Sequence, residues 1–208
     1  MLSPSIPARA DALPLPRRGD TEAFVLPGWT LERSFDADLD ADAEDDRVLV
    51  LLQSEPADGS DRQRALVILL RRGDAFELGG SNRGLLSCFQ CNGVKGGDGA
   101  PELSFERGAL LVSQISGSRW FTTALDRFRW SRERKRFELI GVDSGSYDAA
   151  TGEATETSCN LLTGECIETK TPSQVDAEGN IHAVPARITR FRMKRALVPL
   201  ARAKNPLG

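Results

Sequence analysis

Short apolar runs, separated by Gly, Asp and Asn, recur along this chain and have the length of β-strands. The clearest runs are Trp29 to Phe35, Val48 to Leu52, Ala65 to Leu70, Phe76 to Leu78, Ala109 to Ile115, Trp120 to Leu125, Phe128 to Trp130 and Phe137 to Val142. The second and third runs are almost continuously apolar, which is typical of strands buried on both faces. The runs that begin at Trp29 and Trp120 alternate instead, as half-buried strands do.

Hairpin turns are indicated at three places: Arg72-Gly73-Asp74, Arg107-Gly108 and Ser116-Gly117-Ser118. The best helical competitor is the segment 126–136, but its aromatic residues alternate with arginines at a period of two, so we expect a strand that ends in a charged turn. The pattern therefore predicts an all-β fold, a single domain of antiparallel strands that is β-propeller-like or barrel-like.

The length of 208 residues and the apolar content of 40% suit one well-buried core. Residues 1–23 are rich in Pro, Ala and Arg without periodicity, so composition predicts a flexible tether there. We expect the β domain to span residues 24–200 and a disordered tail to follow at residues 201–208.

The net charge of −3 argues against general nucleic-acid binding. Charge is unevenly distributed, however, because the stretch from Ile181 to Gly208 holds seven basic residues and no acidic one. Two interpretations of this stretch stay open. It packs as a last strand through Ile188, Phe191 and Val198, or it lies against anionic polymers of the cell envelope.

An aspartate-rich segment precedes the apolar run at Val48 and predicts a Ca²⁺ site. The residues that fall on positions 1, 3, 5, 7 and 9 of a calcium loop are Asp38, Asp40, Asp42, Glu44 through its carbonyl, and Asp46. Ala43 replaces the glycine that usually makes the sharp turn, and Leu49 at the twelfth position is no ligand, so the loop is not an EF-hand. A solvated acidic loop without an ion is the alternative.

The four cysteines form two local pairs, Cys88 with Cys91 and Cys159 with Cys166. Two short-range disulfides are the favoured assignment, while a zinc site and free thiols are the alternatives. Disulfides would indicate a periplasmic or cell-envelope location. The N-terminus lacks the apolar region of a signal peptide, which taken literally indicates the cytoplasm, so we expect that a leader segment is missing from this chain. No run of 18 apolar residues is present, and no membrane span is expected.

Catalytic chemistry has little support in the sequence. His182 is the single histidine and lies in a polar stretch near the C-terminus. No nucleophile motif, phosphate-binding glycine loop or zinc-protease signature occurs. We therefore expect a protein that binds rather than an enzyme.

Several segments resemble one family of small bacterial exported proteins and lipoproteins. They are the aspartate loop before an apolar strand, the CxxC followed by Asn-Gly, the line GALLVSQISGSRWFTTALDRFRW and the line RFELIGVDSGSYDAATGEATETSCNLLTGECIET, which together cover about residues 26–170. The calcium loop of this family is similar to that of FG-GAP and VCBS β-propeller repeats, which usually carry glycine where Ala41 and Ala43 stand here.

Some members of that family resemble periplasmic immunity proteins, which block peptidoglycan hydrolases delivered by the antibacterial secretion systems of neighbouring bacteria. The resemblance implies an inhibitor whose partner is a cognate lysozyme-like hydrolase or another secreted effector, with calcium as a structural ion and a lipid anchor on the precursor. A calcium-stabilised envelope module without an enzyme target is the alternative function.

An inhibitor of this kind needs a stiff loop with an anchor side chain. The segment from Asp143 to Glu153 joins two predicted strands and contains Tyr147, the one tyrosine of the chain. We expect this loop to contact the partner through Tyr147, Ser144, Ser146 and Asp148. The alternative role for Tyr147 is packing.

Overall fold

A computed structural model describes residues 13–176 and 178–207, and in this part of the chain the fold is built from antiparallel strands. Helical structure is limited to α1 (Gly93–Gly96) and to the 3-10 turns Glu22–Phe24 and Leu200–Arg202. The all-β class predicted from the sequence is confirmed. The described sheets are open, and no closed barrel forms.

The first sheet has the strand order β1-β5-β4-β3-β2. Its strands are β1 (Arg18–Gly19), β2 (Trp29–Ala37), β3 (Asp46–Gln53), β4 (Arg64–Arg72) and β5 (Ala75–Asn82). As their apolar runs predict, β3 and β4 are the central strands and are buried on both faces.

The second sheet has the order β14-β11-β10-β9-β8-β7-β6, with β15 paired to β9. The remaining strands are β6 (Glu102–Glu106), β7 (Ala109–Gly117), β8 (Trp120–Ser131), β9 (Arg136–Asp148), β10 (Ala154–Asn160), β11 (Glu165–Thr171), β12 (Ser173–Val175), β13 (Ile181–Ala183), β14 (Arg187–Arg192) and β15 (Val198–Pro199). Strands β12 and β13 pair with each other as a separate hairpin. The two predicted runs from Trp120 to Trp130 form one long strand, β8, and the charged segment after it is a turn.

The main core lies between the two sheets. Val48, Val50 and Ile68 of the first sheet belong to the same buried cluster as Leu110 and Phe128 of the second. Burial of each such side chain contributes roughly 1.5–3 kcal/mol. The inner faces of the two sheets therefore hold each other in place.

Of the tether expected at residues 1–23, the described residues 13–23 lie against the first sheet and help to cover its outer face. Leu13, Leu15 and Val25 pack against the cluster formed by Phe24 and the outward residues of β3 and β4. Strand β1 adds to the edge of this sheet by pairing with β5. Composition did not predict this packing, because a few apolar residues suffice to cover a strand face that would otherwise contact water. Residues 1–12 lie outside the described part.

Of the disordered tail expected at residues 201–208, the described residues 201–207 contact the rest of the fold. Leu200 and Ala203 are buried in the main core, and the Asn82 amide donates to both of their carbonyls. Asn205 donates from its side chain to Ser87 Oγ at 3.1 Å. Buried hydrogen bonds of this kind compensate the ordering entropy that a polar tail alone would not repay.

Strands β10, β11 and β14 form what we call the single-layer extension, since they contribute no residue to the core between the sheets. Their buried apolar residues are limited to Cys159 and Cys166, which cluster with Leu161. The basic C-terminal stretch supplies the edge strand of this extension, β14, in which Ile188 and Phe191 are exposed, whereas Val198 belongs to β15 beside β9.

Candidate metal loop and binding surface

The aspartate loop connects β2 to β3 and is ordered by its own side chains. The two carboxylate oxygens of Asp38 accept the backbone N–H groups of Asp42 and Ala43, each at 3.0 Å. Asp42 Oδ1 accepts the N–H of Glu44 at 2.9 Å. These bonds replace the ladder bonds that the backbone gives up where it leaves the sheet.

Two alanines in this loop have left-handed backbone conformations. Ala41 has φ of 61° and Ala43 has φ of 72°. This region costs a residue with a Cβ roughly 1–2 kcal/mol, whereas glycine enters it freely. Glycine would occupy both positions without this cost.

Asp38, Asp40 and Asp42 are brought together in a cluster able to hold a metal ion. One carboxylate oxygen from each lies within 4.8 Å of the others. Asp40 is almost fully buried, and its Oδ1 atom has no hydrogen-bond partner in the described part of the protein. Three hard oxygen donors with one unsatisfied buried acceptor suit a hard cation.

Two arginines that carry no motif in the sequence also contact this loop. The Arg72 guanidinium pairs with Asp40 and, at 2.8 Å, with Asp42. Arg132, from the turn between β8 and β9, donates to the carbonyls of Asp40 and, at 2.6 Å, of Ala41. Arg72 therefore offsets part of the aspartate charge and competes with a cation for the same carboxylates.

The structure separates Asp46 from the three-aspartate cluster, contrary to the predicted ligand set. Asp46 is fully buried, and its two oxygens accept the N–H groups of Leu39 at 2.9 Å and Arg71 at 2.8 Å. Burial raises the pKa of Asp46 to about 6 despite these bonds. Its side chain ties the base of the loop to β4, while Glu44 is exposed.

Both predicted disulfides are present. Cys88–Cys91 closes a turn before α1, and Cys159–Cys166 joins the neighbouring strands β10 and β11 with their Cα atoms 4.2 Å apart. Disulfides persist in oxidising compartments, which indicates an extracytoplasmic environment. Among the described residues, no helix has the length and apolar character that crossing a membrane requires.

A buried arginine holds the segment that carries Cys88 and Cys91. Arg64 is fully buried and forms a bidentate ion pair with Glu32, at 2.6 and 2.7 Å. It also donates to the carbonyls of Ser87 and Asp98, on either side of the disulfide turn. No signal in the sequence distinguishes Arg64 from a surface arginine, because its partners are distant along the chain.

The predicted partner loop around Tyr147 is mostly strand, which corrects its placement. Ser144, Ser146, Tyr147 and Asp148 all belong to β9. Since alternate strand residues point to opposite faces, Tyr147 is separated from the other three. Asp148 is buried and ion-paired with Arg119, which lowers its pKa to about 2.

Tyr147 packs on the solvent side of the second sheet. Its ring stacks on Phe121 with the centroids 4.8 Å apart, and its hydroxyl donates to Glu156 Oε1 at 2.7 Å. The ring also covers Gly145, where an added Cβ would lie 2.5 Å from it. Burial and the neighbouring Glu156 raise the pKa of Tyr147.

We call the solvent-facing side of β8, β9 and β10 around this tyrosine the Tyr147 face. Its residues alternate along each strand with those of the opposite side. Asp143 lies on it and pairs with Arg127 from β8. Glu156 and Ser158 of β10 are exposed on the same face. The result is a broad, mixed-charge surface with a flat aromatic pair at one end.

His182 lies in the exposed hairpin of β12 and β13. Its Nε2 atom is 2.7 Å from Asp176 Oδ2, and this contact, with bonds from Asn180, lowers the pKa of Asp176 to about 2. The pair stabilises a surface turn and includes no residue of the aspartate loop or of the Tyr147 face.

These observations define an all-β, disulfide-bonded protein with an aspartate cluster able to hold a metal ion. Comparisons with protein-family models, with curated proteins and with solved structures found no match to this chain.

Proposed function

We propose that this protein is an extracytoplasmic binding protein that inhibits a secreted cell-wall hydrolase. The observation that carries the proposal is the single-layer extension, whose strands expose both faces and bury only a small cluster at one end. A sheet that lacks a covering apolar layer offers its surface to another macromolecule. The resemblance to exported immunity proteins supplies the class of partner, a peptidoglycan hydrolase of the lysozyme-like kind.

The proposed contact surface is the Tyr147 face, which starts on β10 of the extension and continues over the neighbouring strands β9 and β8. The Phe121–Tyr147 pair gives a rigid aromatic area, and the Arg127–Asp143 pair with Glu156 gives charged groups around it. Rigid aromatic anchors lose little entropy on binding and commonly dominate the energy of protein interfaces. Because these side chains stand on long paired strands, the surface is organised before the partner arrives.

Calcium is the proposed structural ion at Asp38, Asp40 and Asp42. When bound, it supplies positive charge that lets three carboxylates approach one another. The aspartates also order the turn between β2 and β3 through their bonds to backbone N–H groups. Since the Tyr147 face belongs to the other sheet, we assign the ion a role in stability and none in contact with the partner.

Inhibition is tested with the purified chain and secreted hydrolases encoded beside its gene, by following the clearing of a peptidoglycan suspension. We expect inhibition at a molar ratio near one, and a complex that survives size-exclusion chromatography. If these hydrolases neither bind the chain nor lose activity, the inhibitor function is wrong.

A matched pair of variants tests the surface. Ser158→Arg places a bulky cation on the Tyr147 face, and Ser146→Arg places the same group on the opposite face of the neighbouring strand. Both serines are exposed, so neither change should unfold the protein. We expect Ser158→Arg to weaken inhibition at least about tenfold, or 1.4 kcal/mol, with Ser146→Arg close to the unmodified protein. The reverse order would move the interface to the other face.

A further inference from the structure

We propose that the open edge of β14 is a docking site for an acidic, extended segment of a partner protein, which adds to the second sheet as a further strand. The inference rests on the proposed binding function and names a second part of the surface that serves it. It comes from the position of β14, the direction of its backbone groups and the charge of its side chains.

Strand β14 is the last strand of the second sheet and pairs only with β11 in the described part of the chain. All six of its residues, Arg187–Arg192, are exposed. A strand at the edge of a sheet presents unpaired N–H and C=O groups, which form a template for another strand. In this fold that edge is six residues long, enough for a typical strand to pair along it.

The register shows which backbone groups face outward. Cys159 and Cys166 are paired with a Cα–Cα distance of 4.2 Å, which identifies a non-hydrogen-bonded pair of an antiparallel ladder. The backbone groups of Cys166 therefore point the other way, toward its partner Phe191 on β14. Since the ladder alternates, Ile188, Arg190 and Arg192 direct their N–H and C=O groups to the open edge.

A hydrogen bond beyond the end of β14 gives the same alternation independently. The N–H of Met193 donates to the Gly164 carbonyl at 2.8 Å, so residue 193 faces β11. Residues 191 and 189 then face β11 as well, and the even-numbered residues face outward. The two observations agree on three outward N–H groups and three outward carbonyls.

The positive charge of β14 indicates that the docked segment is acidic. Arg187, Arg190 and Arg192 lie on this strand, and the stretch from Ile181 to Gly208 contains seven basic residues and no acidic one. Arg192 pairs with the exposed Glu165 at 2.7 Å, while the ion pairs of the described residues leave Arg187 and Arg190 unused. An acidic strand beside β14 would place its carboxylates against these guanidinium groups, which bind carboxylates well.

Apolar groups next to the edge provide positions for alternate side chains of the docked strand. A groove of about 450 Å³ is lined by Cys166, Ile167 and Phe191, by Arg190 and by the ion pair of Arg192 with Glu165. Ile188 is 57% exposed and Phe191 44% exposed, on opposite faces of the strand. Strand addition draws affinity from main-chain hydrogen bonds and specificity from such positions.

A second copy of the chain fits this edge less well than an acidic partner. Pairing β14 with β14 would bring arginines opposite arginines, and like charges across a sheet are destabilising. Charged residues on an edge strand can also serve only to prevent aggregation. Binding of a peptide distinguishes a docking site from an edge that is merely protected.

The test uses the full chain and a blocked synthetic peptide of about eight residues with alternating Glu and Thr, the length of a typical strand. Hydrogen exchange of backbone amides is followed by NMR as peptide is added up to millimolar concentration. We expect slower exchange at the amides of Ile188, Arg190 and Arg192. A peptide of alternating Lys and Thr should leave exchange unchanged. No protection by the acidic peptide would overturn the proposal.

Two variants separate backbone docking from charge attraction. Ile188→Pro removes one outward N–H and no ladder bond to β11, a change that edge strands tolerate. Arg187→Glu with Arg190→Glu reverses the charge, and Arg202→Glu with Lys204→Glu is the control with the same charge change elsewhere in the basic stretch. We expect Ile188→Pro and the β14 charge reversal each to weaken peptide binding at least about tenfold, and the control to change it by less than about twofold.

Other outcomes point elsewhere. If Ile188→Pro retains its melting temperature and binds as well as the unmodified chain, the edge attracts anions by charge alone, and an anionic polysaccharide such as heparin should bind equally. A dimer that Ile188→Pro abolishes would make a second copy the occupant. Peptide docking without hydrolase inhibition would support the docking site at β14 and reject the proposed function. Inhibition that Ile188→Pro leaves unchanged would support the proposed function and reject a role for the β14 edge in it.

Discussion

Asp126 shows at the scale of a residue how burial changes the chemistry of a side chain. It lies on the inner side of β8, paired in register with Val112 and Val142, and is 4% exposed. The hydrogen bonds and ion pairs of the described residues do not use its carboxylate. Burial alone raises its pKa from 3.8 to about 6. The folded protein therefore keeps this proton to a higher pH than the unfolded chain does.

This pKa shift predicts a pH dependence of stability. Well below its unfolded pKa of 3.8 the carboxyl is protonated in both states, and as pH rises toward 6 the unfolded state ionises first, so the free energy of unfolding falls. Asp126→Asn should remove this loss and stabilise the protein at pH 7 by about 1–3 kcal/mol, with little gain at pH 4. Urea unfolding at both pH values measures the difference.

The control for Asp126→Asn is Asp74→Asn, at an exposed aspartate in the turn between β4 and β5. We expect its effect to be small and similar at the two pH values. If Asp126→Asn also has the same effect at pH 4 and pH 7, or destabilises the protein, the carboxylate has a partner that the structure does not show.

The β9 strand carries the main correction at the scale of an element. A segment rich in Ser, Gly and Asp was expected to form a loop, but Arg136–Asp148 is one continuous strand between β8 and β10. Pairing on both sides satisfies its backbone groups, which overrides the low strand propensity of glycine and aspartate. Tyr147 accordingly packs against its neighbours while it remains on the surface.

Tyr147→Ala should therefore destabilise the protein, by about 1–3 kcal/mol, because it removes the stacking on Phe121 and the cover over Gly145. Tyr147→Phe keeps the ring and loses only the hydroxyl bond to Glu156, so we expect a loss of about 0.5–1 kcal/mol. Thermal and urea unfolding of both variants measure this order. If the Tyr147→Ala protein is as stable as the original, Tyr147 does not contribute to packing and is free to act as an anchor for the partner.

The aspartate loop acts at the scale of the whole molecule because it contacts both sheets. It joins β2 to β3, and Arg132 from the turn between β8 and β9 donates to its carbonyls. An ion at Asp38, Asp40 and Asp42 would fix this junction. Its removal should then lower the stability of the entire fold and not only of the loop.

Ca²⁺ added at about 100 times its Kd should stabilise the protein by about 2.7 kcal/mol, and a chelator should reverse the gain. Asp38→Asn should abolish most of this response. The matched control is Asp58→Asn, since Asp58 is also an exposed-turn aspartate that accepts a backbone N–H, from Ser60 at 3.0 Å. If neither calcium nor chelator changes the melting temperature of the unmodified protein, the cluster holds no calcium and Arg72 alone offsets its charge.

The sequence by itself determined the all-β class, the main strands, the three hairpin turns and the cysteine pairs. These are local properties, since a period of two, a turn residue with left-handed φ and two cysteines a few residues apart report on the backbone nearby. The clustering of Asp38, Asp40 and Asp42 followed from their spacing for the same reason.

Only the tertiary structure decided which groups meet across long separations in the chain. It placed Arg72 and Arg132 at the aspartate loop and packed the N-terminal segment on the first sheet. It also directed the Asp46 carboxylate to backbone N–H groups and away from the other aspartates. It also left β14 as an open, basic edge. Such contacts depend on sheet order and on which face remains uncovered, and these are set by the packing of the whole chain, which no local pattern encodes.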